Sequence, residues 1–257
     1  MDVFDAEIYK GLAAAFEKGM AKGKQIGKVG EVGDLVYSAL NYTPTLLDIQ
    51  TTAFSNIASE SLRDFICGSF GIAVNEYLMI GTHRHEPPSR NGWAHTDCAI
   101  CSFPKTGNRF NGFQLFHETS GCIYADDSKD RQPDSVKTAR AIACLYYLGP
   151  GNLREFDGGE TAIYAADANA LIDTIPPVPN SLFAFEISPY SYHAYLGSPR
   201  LVRDSIIWWY HCDIASLVRR KLKLFQKKQA AGMDPWDRWT DPSVAKYDAY
   251  KSEVNYS

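Results

Sequence analysis

The sequence predicts a mainly β domain with flanking helices, and three observations carry that expectation. Apolar residues recur at helical spacing through the first seventy positions. Short runs rich in β-branched and aromatic residues follow from 72 to 212, and a basic helix-favouring stretch comes after them. At 257 residues, with 45% hydrophobic and 22% charged side chains, the chain has the makings of one soluble domain with decorations. A net charge of −4 argues against nucleic acid as the main partner. The first residues lack the basic-then-apolar pattern of a leader, and no uncharged apolar run reaches the ~18 residues of a membrane span.

The elements follow in order. Phe4, Ile8, Leu12, Phe16 and Met20 stand four apart, so 3–20 reads as a helix with one apolar stripe. A second helix is expected over 52–67, with Phe54, Ile57, Leu62, Phe65 and Ile66 facing the core. Residues 1–70 thus form a helical buttress, and the strands begin at 72–80. Residues 83–92 read as a loop because Pro87, Pro88 and Gly92 punctuate them. Strands are then expected at 93–103, 112–118, 140–148, 160–165, 181–187, 191–195 and 202–211, closing into a distorted barrel. Gly158-Gly159 marks the turn into 160–165. The 104–138 insertion, with a charged tip at 126–131, has the length and position of a lid over the barrel mouth. Residues 214–229 should form a helix that lays Leu217, Leu222, Leu224 and Phe225 on the domain. Its Arg219, Arg220, Lys221, Lys223, Lys227 and Lys228 then face solvent. The tail beyond it carries Trp236, Trp239, Tyr247 and Tyr250, which suit a strap or a homodimer contact.

Six cysteines at 67, 98, 101, 122, 144 and 212 show no framework spacing, so free thiols in the cytoplasm are expected. Cys98 and Cys101 form a C-x-x-C without a second pair, which is a weak redox or zinc signal. The histidines say more. His95-Thr96-Asp97 is followed at a distance by His193, with Arg203-Asp204-Ser205 beginning ten positions later. On a strand, residues two apart share a face, so His95 and Asp97 can reach one metal together. Two histidines and a carboxylate form the facial triad that holds Fe(II) and leaves positions open. A guanidinium nearby can receive a carboxylate bidentately, and a hydroxyl can add a hydrogen bond. His83, His85 and Glu86 also make an H-x-H-E run, but the glutamate is too close for a cupin-type metal site.

Beyond the triad, ordered blocks run through the chain: R-A-I-A-C-L-Y-Y-L at 140–148, D-G-G-E-T-A-I-Y at 157–164 and R-D-S-I-I-W-W-Y-H-C-D at 203–213. Together with H-T-D and His193 they make the chain resemble the prolyl-4-hydroxylase-like branch of the Fe(II)/2-oxoglutarate oxygenases over residues 75–213. The resemblance implies a double-stranded β-helix (jelly roll) of about eight core strands. It also implies Fe(II) held by His95, Asp97 and His193, 2-oxoglutarate as cosubstrate, and O2 as oxidant. Arg203 would take the distal carboxylate of 2-oxoglutarate, with Tyr147, Ser205 and His85 as further cosubstrate contacts. At His85 the family more often has tyrosine. Halogenating relatives lack the carboxylate that Asp97 supplies, so hydroxylation is the implied reaction. Arg140 and Trp209 match substrate-side residues, while His117 and Glu118 are selectivity candidates by location alone. The expected substrate is a small polar metabolite, such as an amino acid derivative. A protein residue of the prolyl type, desaturation and cyclisation are the alternatives.

Overall fold

The computed structural model describes residues 2–22, 39–42, 46–87, 89, 91–92, 94–105, 108–117, 123–124, 134–149, 158–166, 168 and 170–236. Helix α1 (Ala6–Lys22) opens the chain, followed by β1 (Ala39–Tyr42), α2 (Leu46–Thr51), a 3-10 turn at Ala53–Asn56 and α3 (Glu60–Phe70). Strands β2 (Tyr77–His85), β3 (Ile100–Pro104), β4 (Asn108–Phe110), β5 (Phe113–His117), β6 (Ile123–Tyr124) and β7 (Ser135–Tyr147) come next. After them lie β8 (Thr161–Tyr164), β9 (Leu171–Ile175), β10 (Ser181–Glu186), β11 (His193–Tyr195) and β12 (Arg203–Cys212). Helices α4 (Ile214–Arg220) and α5 (Leu222–Ala230) complete the described elements.

The strands form two sheets. Nine lie in one large sheet with the spine β4-β5-β2-β12-β7-β3-β6, to which β1 adds beside β2 and β10 beside β7. Only β2 and β5 run parallel in it, so the sheet is mixed. The small sheet, β11-β8-β9, meets the ligand-bearing segment through paired backbone hydrogen bonds between His95 and His193, at 3.0 and 2.9 Å. Alternation along β12 divides its side chains cleanly. Asp204, Ile206, Trp208 and Tyr210 take one face, and Arg203, Ser205, Ile207, Trp209 and His211 take the other. α1 and α3 close the first face. Leu12, Phe16, Phe54, Ile57 and Ile66 are buried in one cluster with Leu78, Ile80, Ile206 and Trp208. Burying side chains of this size stabilises by ~1.5–3 kcal/mol each before entropy is counted.

The expected stripe on α1 is observed: Leu12 and Phe16 are buried. The second helix is not continuous. A 3-10 turn ends at Asn56, and Ser59 starts α3 by accepting a hydrogen bond from the Leu62 N–H at 3.3 Å. That restart turns Phe65 outward to 71% exposure, against its expected place in the core. The strand expected at 72–80 is displaced and runs from Tyr77 to His85, so His83 and His85 lie on a strand and not in a loop. Pairing with β12 across Arg203↔His85 to Tyr210↔Leu78 overrides the loop signal of the prolines beyond it. The 93–103 strand shrinks to β3. Within the 104–138 insertion, β4, β5, β6 and the start of β7 join the large sheet, so these parts are wall and not lid. The charged tip at 126–131 lies outside the described residues.

β1, β4, β6 and β9 match none of the strands expected from the sequence. The C-terminal helix is broken at Lys221. Leu217 and Phe225 are buried as expected, but Leu222 is 47% exposed and Lys228 is buried. Lys228 donates to the Pro189 carbonyl at 3.2 Å and lies over the rings of Tyr190 and Tyr192, which accounts for a cation at a core position. Residues 237–257, and with them Trp239, Tyr247 and Tyr250, lie outside the described residues.

Candidate metal centre and anion cradle

The second face of β12 forms the floor of the site. His95, Asp97 and His193 offer ligand atoms that all lie within 4.8 Å of one another. The expected strand alternation does not bring them together, however. His95 is held by the bridge to His193, and Asp97 leaves the extended region for the left-handed one at φ 58°. Aspartate tolerates this conformation better than most residues. The kink turns the carboxylate back, so its Oδ1 is 3.6 Å from His95 Nε2 and its Oδ2 3.6 Å from His193 Nε2.

The His193 ring is held in an orientation that could serve a metal. Its Nδ1 donates to the Ser191 carbonyl at 3.0 Å, which leaves Nε2 with a lone pair towards Asp97. Burial first, then the neighbouring His95, lowers its pKa to about 4, so the ring is neutral near pH 7. For Asp97 burial pushes the pKa up. The Arg140 charge, the two histidines and the Trp209 N–H outweigh it and hold the carboxyl far below the usual range.

Arg140 and Trp209 both touch this carboxylate. Arg140 Nη1 donates to Oδ1 at 3.1 Å and Trp209 Nε1 to Oδ2 at 2.8 Å, while the guanidinium lies 4.1 Å above the indole. Arg140 reaches this face because of a bulge: Tyr210 pairs with Ile142 but His211 pairs with Arg140, leaving Ala141 extra. Without it, Arg140 and Tyr147, seven positions apart, would point to opposite faces.

At the other end of the floor Arg203 is buried and meets no carboxylate among the described residues. Its Nη2 donates to Thr161 Oγ1 at 3.2 Å, and Thr161 shares a 2.7 Å hydrogen bond with the Tyr147 hydroxyl. The rings of Tyr147 and Tyr195 flank the guanidinium at 5.2 and 4.9 Å, and His85, paired with Arg203 in register, stacks on Tyr195 at 4.0 Å. Burial, then the Arg203 charge, keeps the His85 pKa well below its usual value. Arg203 Nε and Ser205 Oγ are buried without a hydrogen-bond partner. Asp204, the chain neighbour of Arg203, sits on the opposite face in a bidentate pair with Arg84 at 2.8 Å.

The structure therefore brings His95, Asp97, His193, Arg203, Ser205, Tyr147, His85, Arg140 and Trp209 onto or beside one face. His117 ends β5 opposite Ile80, and Glu118 lies outside the described residues. Arg84, between His83 and His85 on β2, points away from the cluster to Asp204 and Glu17. Cys98 is buried with its thiol pushed up to about 12 by desolvation, which does not suit a thiolate ligand. Thr161 and Tyr195 escaped the sequence reading. Thr161 stands inside the D-G-G-E-T-A-I-Y block, and Tyr195 is two after His193 on the same strand face, so both signals were present. Gly158 lets β8 begin here: at φ 86° any Cβ would collide with the Gly197 carbonyl.

No family model matches the chain, and no curated protein matches it. Solved structures do. A prolyl-4-hydroxylase of Pseudomonas putida aligns over 81% of this chain and 88% of its own, at 19% identity and a TM-score of 0.53. A Trichoplax adhaerens prolyl hydroxylase, solved with a peptide fragment of the hypoxia inducible factor oxygen degradation domain, aligns over 81% and 80%, at 14% identity and a TM-score of 0.51. The chain thus has the double-stranded β-helix fold of the prolyl-4-hydroxylases. Within that fold it carries a His-Asp-His cluster.

Proposed function

We propose that the protein is an Fe(II)- and 2-oxoglutarate-dependent dioxygenase that hydroxylates a C–H bond. The observation that carries the reading is the buried Arg203, which has no acid partner among the described residues and shares a face with a preset His-Asp-His cluster. A buried guanidinium offset by one hydroxyl and two aromatic rings, with no counter-ion among the described residues, is costly, and a bound dicarboxylate would relieve that cost. Arg203 Nε and Ser205 Oγ supply donors for one carboxylate, and Thr161 and Tyr147 border it. His95, Asp97 and His193 would hold the iron, which when bound activates O2. The balanced reaction takes the substrate, 2-oxoglutarate and O2 to the hydroxylated product, succinate and CO2. The protein's share is to bind, to aim the C–H bond and to keep competing reactions out.

The substrate reading is a small polar metabolite. It rests on the acids and bases that the sequence places in the insertion, of which Arg109 lies beside Glu76 and Glu118 lies outside the described residues. The competing reading is a peptidyl residue, favoured by the fold neighbours, one of which was solved with a peptide. No helix among the described residues is long and apolar enough to cross a membrane, and the free thiols of Cys67, Cys98, Cys101, Cys144 and Cys212 suit a reducing cytoplasm. The test is iron-dependent conversion of 2-oxoglutarate to succinate, screened with amino acids, nucleosides and proline-containing peptides. Absence of 2-oxoglutarate binding to the Mn(II)-loaded protein would remove the proposal. A peptide outperforming every small molecule would replace only its substrate.

A further inference from the structure

We infer that Arg140 and Trp209 are positioning residues for the metal-binding carboxylate, a clamp on Asp97 in place of the substrate contacts that the sequence resemblance implied. The inference rests on the metal reading above. Each Asp97 oxygen accepts from a different rigid donor, the guanidinium on one side and the indole on the other. Two donors on two oxygens fix the carboxylate plane as well as its position. They leave each oxygen with its remaining lone pair for the histidine side, where the metal would sit.

Asp97 needs such external support. It lies outside the strand ladders and in the left-handed region, so no sheet neighbour fixes its side chain. The clamp itself is over-determined. Arg140 Nη2 rests on the Met79 sulfur at 3.2 Å, its face covers Trp209, and both residues are buried. The bulge at Ala141 brings the arginine to this face. The arginine has its fork on Asp97 and Met79 and one face on an indole, and its Nε, which makes no hydrogen bond, is buried, so it presents no exposed donor to a substrate. Outer partners that orient ligating side chains typically affect metal affinity by about 10–100-fold.

Trp209→Phe removes the indole N–H and keeps the ring, and Arg140→Lys keeps the charge but loses the planar fork. Neither alters the net charge, so a change in affinity reports orientation. Mn(II) affinity is read from the electron paramagnetic resonance of the free ion, and Co(II) d–d absorption reports ligand geometry. Melting of the metal-free protein checks the fold. The expected result is Mn(II) binding weakened about tenfold or more and an altered Co(II) spectrum, with the metal-free Trp209→Phe protein still melting cooperatively, though earlier than wild type because a buried carboxylate oxygen loses its donor. Folded variants that bind Mn(II) within a factor of about two of wild type would overturn the clamp. If Arg140→Lys does not fold, Trp209→Phe decides alone. Wild-type Mn(II) binding that survives His95→Ala and His193→Ala would instead overturn the metal site on which the clamp depends.

Discussion

The two ends of the site floor handle buried charge in opposite ways. At the metal end, both oxygens of Asp97 accept hydrogen bonds and its charge is matched by Arg140. At the other end, Arg203 donates to one neutral hydroxyl, and its Nε and the Ser205 hydroxyl have no hydrogen-bond partner. Both cations are buried in the same sheet on strands that pair with each other. Each keeps a buried Nε without a hydrogen-bond partner, so the difference lies in the charge: the first faces a protein carboxylate, and the second meets none among the described residues. Buried charges are usually paired, so on the proposed reading an unpaired guanidinium beside the His-Asp-His cluster is where a ligand's own charge would belong.

That contrast breaks most visibly under substitution of ligands. His193→Ala and Asp97→Ala should each abolish detectable turnover and lower Mn(II) affinity by about a hundredfold or more, because an outer partner alone is worth 10–100-fold. Arg203→Ala should show the reverse pattern. Metal affinity stays close to wild type, and 2-oxoglutarate affinity of the Mn(II) form falls by about a hundredfold, the few kcal/mol typical of breaking a buried charged pair. Arg203→Lys should recover only part, since an ammonium lacks the fork. Calorimetric titration of metal and cosubstrate on each variant checks both arms. If Arg203→Ala loses metal as well, the two ends are not separate.

A smaller effect concerns pH. His211 and His85 are buried and held neutral, both chiefly by desolvation, with nearby arginine charge second, and their pKa values lie well below 6.5. The unfolded chain protonates its histidines near pH 6.5, so below that value it binds more protons than the fold does. Stability therefore rises with pH through this window and is lost as pH falls from about 6.5 towards the folded pKa values, at up to ~1.4 kcal/mol per pH unit for each such histidine. Thermal melting of the metal-free protein from pH 7.5 to 5 should show the decline. His211→Gln should make it shallower, because His211 lies behind the clamp, bonded through Nδ1 to Thr138 at 2.9 Å. An unchanged slope would mean that another group sets the acid limit.

Much of the site was legible because its residues sit in motifs with fixed offsets. Arg203, Ser205 and Trp209 share parity on one strand, so one strand assignment places all three. The shape of the metal end was not legible. Alternation alone put His95 and Asp97 on one strand face, whereas Asp97 reaches the cluster through a left-handed kink. The resemblance gave Arg140 and Tyr147 site roles on one strand, but regular alternation would set them on opposite faces, and only the Ala141 bulge brings them to one. Neither a kink nor a bulge has a periodic signature. Among the helices, Phe65 was misplaced because a capping serine restarts the turn count, and Lys228 because its charge concealed a buried stem under two tyrosines. The outward direction of Arg84 followed from β2 extending to His85, which pairing with β12 decides and the local sequence does not.

The finest test of the contrast is Thr161. Its hydroxyl is the single described hydrogen-bond acceptor for the Arg203 side chain and also meets the Tyr147 phenol, so it joins the cradle to the small sheet. Thr161→Val keeps the β-branched shape on β8 while removing the oxygen. In the ligand-free protein the guanidinium then loses its acceptor, and with cosubstrate bound the ligand carboxylate replaces it. The free state is therefore hurt more than the bound state by loss of the Arg203 contact. Against this, Tyr147 loses the partner that holds its hydroxyl at the edge of the cradle. The first effect lowers stability without ligand by about 1–2 kcal/mol, the cost of leaving a buried donor unmatched. The second weakens 2-oxoglutarate binding only a few-fold. Thr161→Val should accordingly melt earlier when empty and recover most of the deficit when Mn(II) and 2-oxoglutarate are added. A deficit that persists at saturating ligand would show that the hydroxyl supports the scaffold and not the anion site.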